Sequence, residues 1–172
     1  MAHAYSHLYQ IPTTGLRFFT VYGPWGRPVM AYFKFAKAIA EGKPIDVYNY
    51  GKMKRDFTYI DDVVEAIARI IPSPPQTSFQ QPSYKIYNLG NHQPVELEQF
   101  ISLLETLIGK PACKNFLPMQ PGDVVSTYAN IDELITDFDF QPTTPISLGL
   151  EKFVAWYQQY EKNTAKTLVT VG

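Results

Sequence analysis

Short segments of strand character alternate along this chain with segments of helical period. Thr14 to Tyr22 is β-branched and aromatic, the composition of a strand. Met30 to Ala40 follows with Phe33, Ala36, Lys37 and Ala40 along one helical stripe, and Gly42 closes it. Ile45 to Tyr48 and Asp56 to Ile60 read as short strands on either side of a turn at Gly51 to Lys54. Asp62 and Glu65 have capping-box spacing ahead of Val63, Val64, Ile67, Ile70 and Ile71, so Asp61 and Asp62 are read as helix caps. Lys85 to Leu89 resumes as a strand. The strongest helix, Glu96 to Ile108, carries Leu97, Phe100, Ile101, Leu104, Leu107 and Ile108 on one face and stops at Gly109. Thr144 and Pro145 open a last helix that buries Leu150, Phe153, Val154 and Tyr157. The alternation predicts an α/β fold, and the missing βαβαβ regularity predicts one lobe of a larger doubly wound design.

Residues 2 to 9 place Ala2, Tyr5, Leu8 and Tyr9 on one stripe with no cap before them, so the chain is expected to begin inside a helix that Pro12 ends. Gly23-Pro24-Trp25-Gly26 is a turn. Residues 72–83 hold four prolines and little that could pack, which predicts a flexible surface loop. From Glu161 the period fades, so 161–172 reads as a tail.

Composition removes several function classes. A net charge of −1 gives no global field to recruit nucleic acid or a membrane surface. Cys113 is the only cysteine, which excludes an internal disulfide and a thiolate zinc cluster. No apolar run approaches the ~18 residues of a membrane helix, and the N-terminus lacks the regions of a signal peptide, so a cytoplasmic location is expected. The aromatic residues, 15% of the chain, are read as core and interface ahead of a stacking surface.

The chain has no glycine-rich strand-to-helix turn that could cradle a dinucleotide pyrophosphate. Tyr48/Lys52 and Tyr50/Lys54 have the spacing of a Tyr-x-x-x-Lys proton-transfer pair, but both straddle Gly51 and would not share a helix face. Thr20 lies near the end of its strand, where open α/β sheets bind ligands, and Arg27 follows in the adjoining loop. Arg17 and Arg27 are solvated surface charges, or else Arg27 grips a carboxylate or diphosphate through its fork. Arg55 and Asp56 alternate across a strand, so Arg55 could reach a phosphate while Asp56 is held elsewhere. Pro121-Gly122 followed by Asp123 presents a carboxylate in a fixed pose, suited to a ribose hydroxyl or to a plain surface loop. His3 and His7 sit at i, i+4 with no third metal ligand near in sequence, and His92 carries no signal.

Taken in order, LRFFTVYGP (Leu16 to Pro24), WGRP, PIDVYNYGKMKRDFTYIDDVVEAI (Pro44 to Ile67), YNLGN (Tyr87 to Asn91) and MQPGDV (Met119 to Val124) resemble the extended short-chain dehydrogenase/reductases that act on nucleotide sugars. TVYGPWGRP and MQPGDV look most similar to UDP-glucuronate 4-epimerases. That resemblance implies the C-terminal substrate-binding lobe of an extended SDR, with the last Rossmann strand and a small mixed α/β domain but without the cofactor-binding half. Residues 1–30 would be the Rossmann remnant and 31–160 the nucleotide-sugar-binding lobe. In such enzymes bound NAD oxidises the sugar at C4 and returns the hydride to the other face, with a Tyr-x-x-x-Lys helix as base. That pair and the glycine loop would lie upstream of this sequence, leaving no catalytic residue in it.

By position, the resemblance places Thr20 against the sugar and Arg27 on the substrate. It places Arg55 on the diphosphate, backbone groups around Val47 and Tyr48 at the uracil, and Asp123 with Gln120 at the ribose. Tyr22 and Pro24 would form a wall near the nicotinamide. Val29 and Asn130 stand where the family pattern has Asp. The implied parent interconverts UDP-glucuronate and UDP-galacturonate, which would suit polysaccharide biosynthesis. Its rivals are another UDP-sugar epimerase, decarboxylase or dehydratase, or a truncated binding or oligomerisation module. Exposed apolar surface on such a lobe predicts a homo-oligomer.

Overall fold

A computed structural model describes the backbone of residues 1–76 and 83–170, and the side chains of that set through residue 164. Residues 77–82, within the proline-rich stretch expected as a loop, lie outside the described residues. The helices are α1 (Ala2–Tyr9), α2 (Ala31–Glu41), α3 (Ile60–Ile70), α4 (Leu97–Ile108), α5 (Asp132–Phe138) and α6 (Ile146–Thr170). The strands are β1 (Thr13–Phe18), β2 (Thr20–Tyr22), β3 (Pro44–Val47), β4 (Lys54–Tyr59), β5 (Tyr84–Leu89), β6 (Pro94–Glu96) and β7 (Cys113–Phe116). A 3-10 turn, Tyr48–Gly51, joins β3 towards β4. Among the described residues no helix is long and apolar enough to cross a membrane.

The strand expected at Thr14 to Tyr22 is two strands with a kink. β1 runs parallel to β5, from Thr13 opposite Tyr84 to Phe18 opposite Leu89. The Val21 N–H then folds back onto the Phe19 carbonyl at 2.9 Å, an i to i+2 bond that bends the chain at Thr20. Past the bend β2 changes partner and runs parallel to β4, with Thr20 opposite Phe57 and Tyr22 opposite Tyr59. β6 pairs antiparallel with β4, and β3 pairs parallel with β7.

Two cores sit on either side of this bend. The larger gathers α2, α4 and α6 with β2 and β4, and it is largely aromatic, as the composition predicts. Phe57 stacks on Phe100 with ring centroids 4.5 Å apart, and Tyr32 meets Phe153 edge-on at 5.0 Å. The smaller packs Val63, Ala66 and Ile70 of α3 against Tyr87 and Leu89 of β5, with Leu134 and Phe140 closing it.

Several expectations need correction. α2 buries Tyr32, Phe33, Phe35, Ala36 and Ile39, and Lys37 points to solvent beside Glu41, because the helix is wedged between β3 and α4 along a broader face. α3 starts at Ile60, so Asp61 and Asp62 lie inside its first turn and neither caps it. The Asp62 carboxylate instead accepts from the Thr144 N–H (3.2 Å) and hydroxyl (3.0 Å), pinning the chain just before α6, while Glu65 pairs with Arg69. Val64 and Ile71, placed on the core stripe, are exposed. The apolar stripe of α1 also faces outward, with Tyr5, Leu8 and Tyr9 more than half exposed and Ser6 buried. β4 begins at Lys54, inside the turn expected there, and α6 continues past Glu161.

α5 is tied to β5 by a compact polar cluster. The Tyr87 hydroxyl donates to Asp137 Oδ2 at 2.6 Å, and Lys85 Nζ lies 3.2 Å from the same oxygen. The bond from Tyr87, with Lys85 beside it, holds the Asp137 carboxyl below its ordinary value. A carboxylate depressed in the fold contributes stability above its unfolded pKa and loses it as the pH falls through the folded one. Wild-type stability is therefore expected to drop below pH 3.8 more steeply than that of Asp137→Ala, by urea unfolding across the acid range. Equal slopes in the two proteins would refute a role for this cluster.

Candidate functional site

At the bend between the two sheets, β2, β4, α2 and the loop after β7 enclose a cleft of about 250 Å³. Thr20, Tyr48, Arg55 and Asp123 line its polar side, and Met30 and Phe35 are among its apolar walls. Four of the residues expected to bind substrate, distant in sequence, are thus brought to one cavity.

Alternation along β4 sets the arrangement. Asp56 points inward and is fully buried, and its carboxylate accepts three backbone N–H groups, from Asn91 (2.7 Å), Ala129 (2.8 Å) and His92 (3.1 Å). Such charge-assisted bonds offset the cost of burying the carboxylate and fix the strand. Arg55 therefore points to the other face, into the cleft. Its Nη2 donates to Asp123 Oδ1 at 2.6 Å and its Nη1 to the Lys54 carbonyl at 2.9 Å. The loop carrying Asp123 lies along β4, with the Lys54 N–H bonded to the Val125 carbonyl at 2.9 Å.

The remaining expected residues fall elsewhere. Val47 is fully buried and its carbonyl accepts the Leu117 N–H at 3.0 Å, so that group is already used. Tyr48 follows it onto the cleft, where Asn49 and Tyr50 take left-handed conformations with φ of 50° and 51°. Gln120 is exposed and outside the cleft lining; its carbonyl accepts the Asp123 N–H at 3.2 Å and closes the turn that presents Asp123. Val29 is exposed, and the Asn130 side chain bonds Asp132 at the start of α5.

Tyr22, Pro24 and Arg27 line a second, larger cleft of about 520 Å³ together with residues of α3, and it shares Met30 and Tyr32 with the first. Tyr22 is 1% exposed and its hydroxyl has no hydrogen-bond partner among the described residues. Burial, then Asp62 and Tyr59, push its phenol well above the ordinary range, so it stays protonated. Tyr22 is packed in the core, and Pro24 lies in the Gly23–Gly26 turn that lines this cleft. Among the described residues no three of His, Cys, Asp and Glu gather to hold a metal, and His3 packs edge-on to Tyr84.

Two functions of residues went unread in the sequence. Asp56 was expected to be held elsewhere, but its three backbone partners follow only from the tertiary fold. His92 takes a left-handed φ of 59° and bridges the Ala129 carbonyl (2.8 Å) and the Tyr128 hydroxyl (2.7 Å), bracing the same turn. The apolar cleft walls gave no signal because core residues and ligand walls share one composition.

The fold and the cleft define an α/β lobe that gathers an arginine, a carboxylate and hydroxyls at a bend between parallel strands. This chain belongs to the NAD dependent epimerase/dehydratase family, whose model matches residues 1–90. It is 55% identical to Protein CapI of Staphylococcus aureus over 94% of this chain and 52% of that protein. It is 45% identical to UDP-glucuronate 4-epimerase 6 of Arabidopsis thaliana over 93% of this chain and 37% of that one. The structure of UDP-glucuronic acid 4-epimerase from Bacillus cereus, in complex with UDP-glucuronic acid and NAD, matches with a TM-score of 0.82 at 35% identity. That match covers 92% of this chain and 49% of the other. The chain spans about half the length of the first of these relatives and of the solved structure.

Proposed function

We propose that this chain is the UDP-sugar-binding lobe of an NAD-dependent epimerase that interconverts UDP-glucuronate and UDP-galacturonate. The carrying observation is the convergence of Thr20, Tyr48, Arg55 and Asp123 on one cleft, with Arg55 held in place by Asp123. A guanidinium there suits a diphosphate, and the polar groups around it suit a ribose and a sugar. The names of the relatives support the uronic acid substrate. NAD, which would supply the oxidation and reduction at C4, would be held chiefly by residues outside this sequence. Arg27, Tyr22 and Pro24 would border the boundary with that cofactor half. Gln120 and Val47 would serve through their backbone groups, by shaping the loops around the ribose and the uracil. The outward stripe of α1 and the exposed Phe18, Trp25 and Val64 support association into a homo-oligomer.

Arg55→Ala is expected to weaken UDP by about 1.5–3 kcal/mol, roughly 10- to 150-fold, by titration calorimetry. Unchanged affinity would remove Arg55 from the diphosphate site. UDP-glucuronate is expected to bind more tightly than UDP-glucose, and a reversed order would sink the uronic acid assignment.

A further inference from the structure

The two oxygens of Asp123 are not equivalent. Oδ1 accepts from Arg55 Nη2 at 2.6 Å and from the Val124 N–H at 2.8 Å, whereas Oδ2 makes no hydrogen bond among the described residues. The ion pair is shielded, with the Arg55 side chain 21% and the Asp123 side chain 33% exposed. Arg55 is the one cation among the described residues lining the cleft, against two carboxylates, Asp46 and Asp123. A guanidinium already paired inside a net-negative lining is a poor trap for a bare anion. A free phosphate or pyrophosphate would compete with Asp123 for the fork and meet its charge at close range.

A nucleoside diphosphate differs in one respect. Its ribose hydroxyls can donate to the unbonded Oδ2, turning the carboxylate from a repelling neighbour into a charge-assisted acceptor. We infer that Asp123 is a specificity-determining residue that makes capture of a diphosphate by Arg55 conditional on the ribose attached to it. The inference rests on the uridine-diphosphate reading above and assigns Asp123 a discriminating task beyond holding a sugar hydroxyl. Asp123 acts here against the wrong ligands as well as for the right one.

The test measures UDP, pyrophosphate and 2′,3′-dideoxyuridine diphosphate by titration calorimetry against the wild-type chain and Asp123→Asn. Asparagine can still accept from Arg55 but carries no charge. Wild type is expected to bind UDP at least about tenfold more tightly than the dideoxy analogue, which cannot donate to Oδ2. Asp123→Asn is expected to bind pyrophosphate about tenfold more tightly than wild type does, narrowing the preference for UDP. A merely structural role would weaken every ligand in the variant. Pyrophosphate affinity unchanged or lowered in Asp123→Asn, with UDP still bound by wild type, would overturn this inference alone. Failure of wild type to bind UDP would overturn the functional reading along with it. The dideoxy comparison uses only wild-type protein, so the inference stays open to refutation even if the variant does not fold.

Discussion

Asp56→Ala is expected to cost the fold about 3–5 kcal/mol, a large share of the stability of a domain this size. The substitution strips the acceptor from the N–H groups of Asn91 and Ala129, both buried, and of the half-buried His92. There is little room for relaxation. A Cβ on Gly90 would stand 2.1 Å from that of Ala129, so the two segments cannot close over the vacated space by small shifts. Asp56→Asn should lose less, because its amide oxygen still accepts while its NH2 faces donors. Urea unfolding of the three proteins measures this, and amide exchange at Asn91 and Ala129 should accelerate most. A loss under about 1 kcal/mol in the alanine variant would show that the carboxylate does not anchor this junction.

Gly149→Ala is the second large effect, and its sign opposes helix propensity. In an exposed helix the change would stabilise by about 1 kcal/mol. Here the added Cβ would lie 2.0 Å from the Tyr22 hydroxyl oxygen and 2.6 Å from the ring carbon that bears it. Tyr22 cannot step aside, since Tyr32, Phe57 and Tyr59 surround it at centroid distances of 6.3, 6.0 and 5.6 Å. We expect a loss of about 2–3 kcal/mol as α6 is levered off β2. Tyr22→Phe removes the unpartnered oxygen and should recover part of that loss in the double variant. Thermal unfolding of the four proteins closes the cycle. A Gly149→Ala protein as stable as wild type would mean that α6 does not pack at this distance.

The sequence was most legible where period and burial coincide. α4 came out nearly as read, because all of its apolar positions face other elements. α1 shows the same kind of stripe with the opposite outcome: it lies against β1 and β5 with Ser6 buried and His3 edge-on to Tyr84, while Tyr5 and Tyr9 stay more than half exposed. β6, β7 and α5 escaped notice because three to seven residues are too few to display a period. In the site, Thr20, Arg55 and Asp123 could be named because polar residues at strand ends and turns stand out against their neighbours. Val47 and Gln120 contribute a carbonyl each to the local framework, and a backbone group leaves no trace in side-chain identity. Asp62 has good capping spacing, yet it serves a threonine that is distant in sequence, a partnership that only packing decides.

The change of partner at Phe19 also bears on how the chain reaches this shape. β1 needs β5, β2 needs β4 and β3 needs β7, all in parallel, and none of these pairs can form as a local hairpin. Thr13 must find Tyr84 and Pro44 must find Cys113 before either sheet exists, so loop-closure entropy is spent ahead of most stabilising contacts. Such non-local pairing is expected to make folding slow, which stopped-flow refolding would measure. The kinked segment joins the β1–β5 sheet to the β2–β4–β6 sheet, and so ties the two cores to each other.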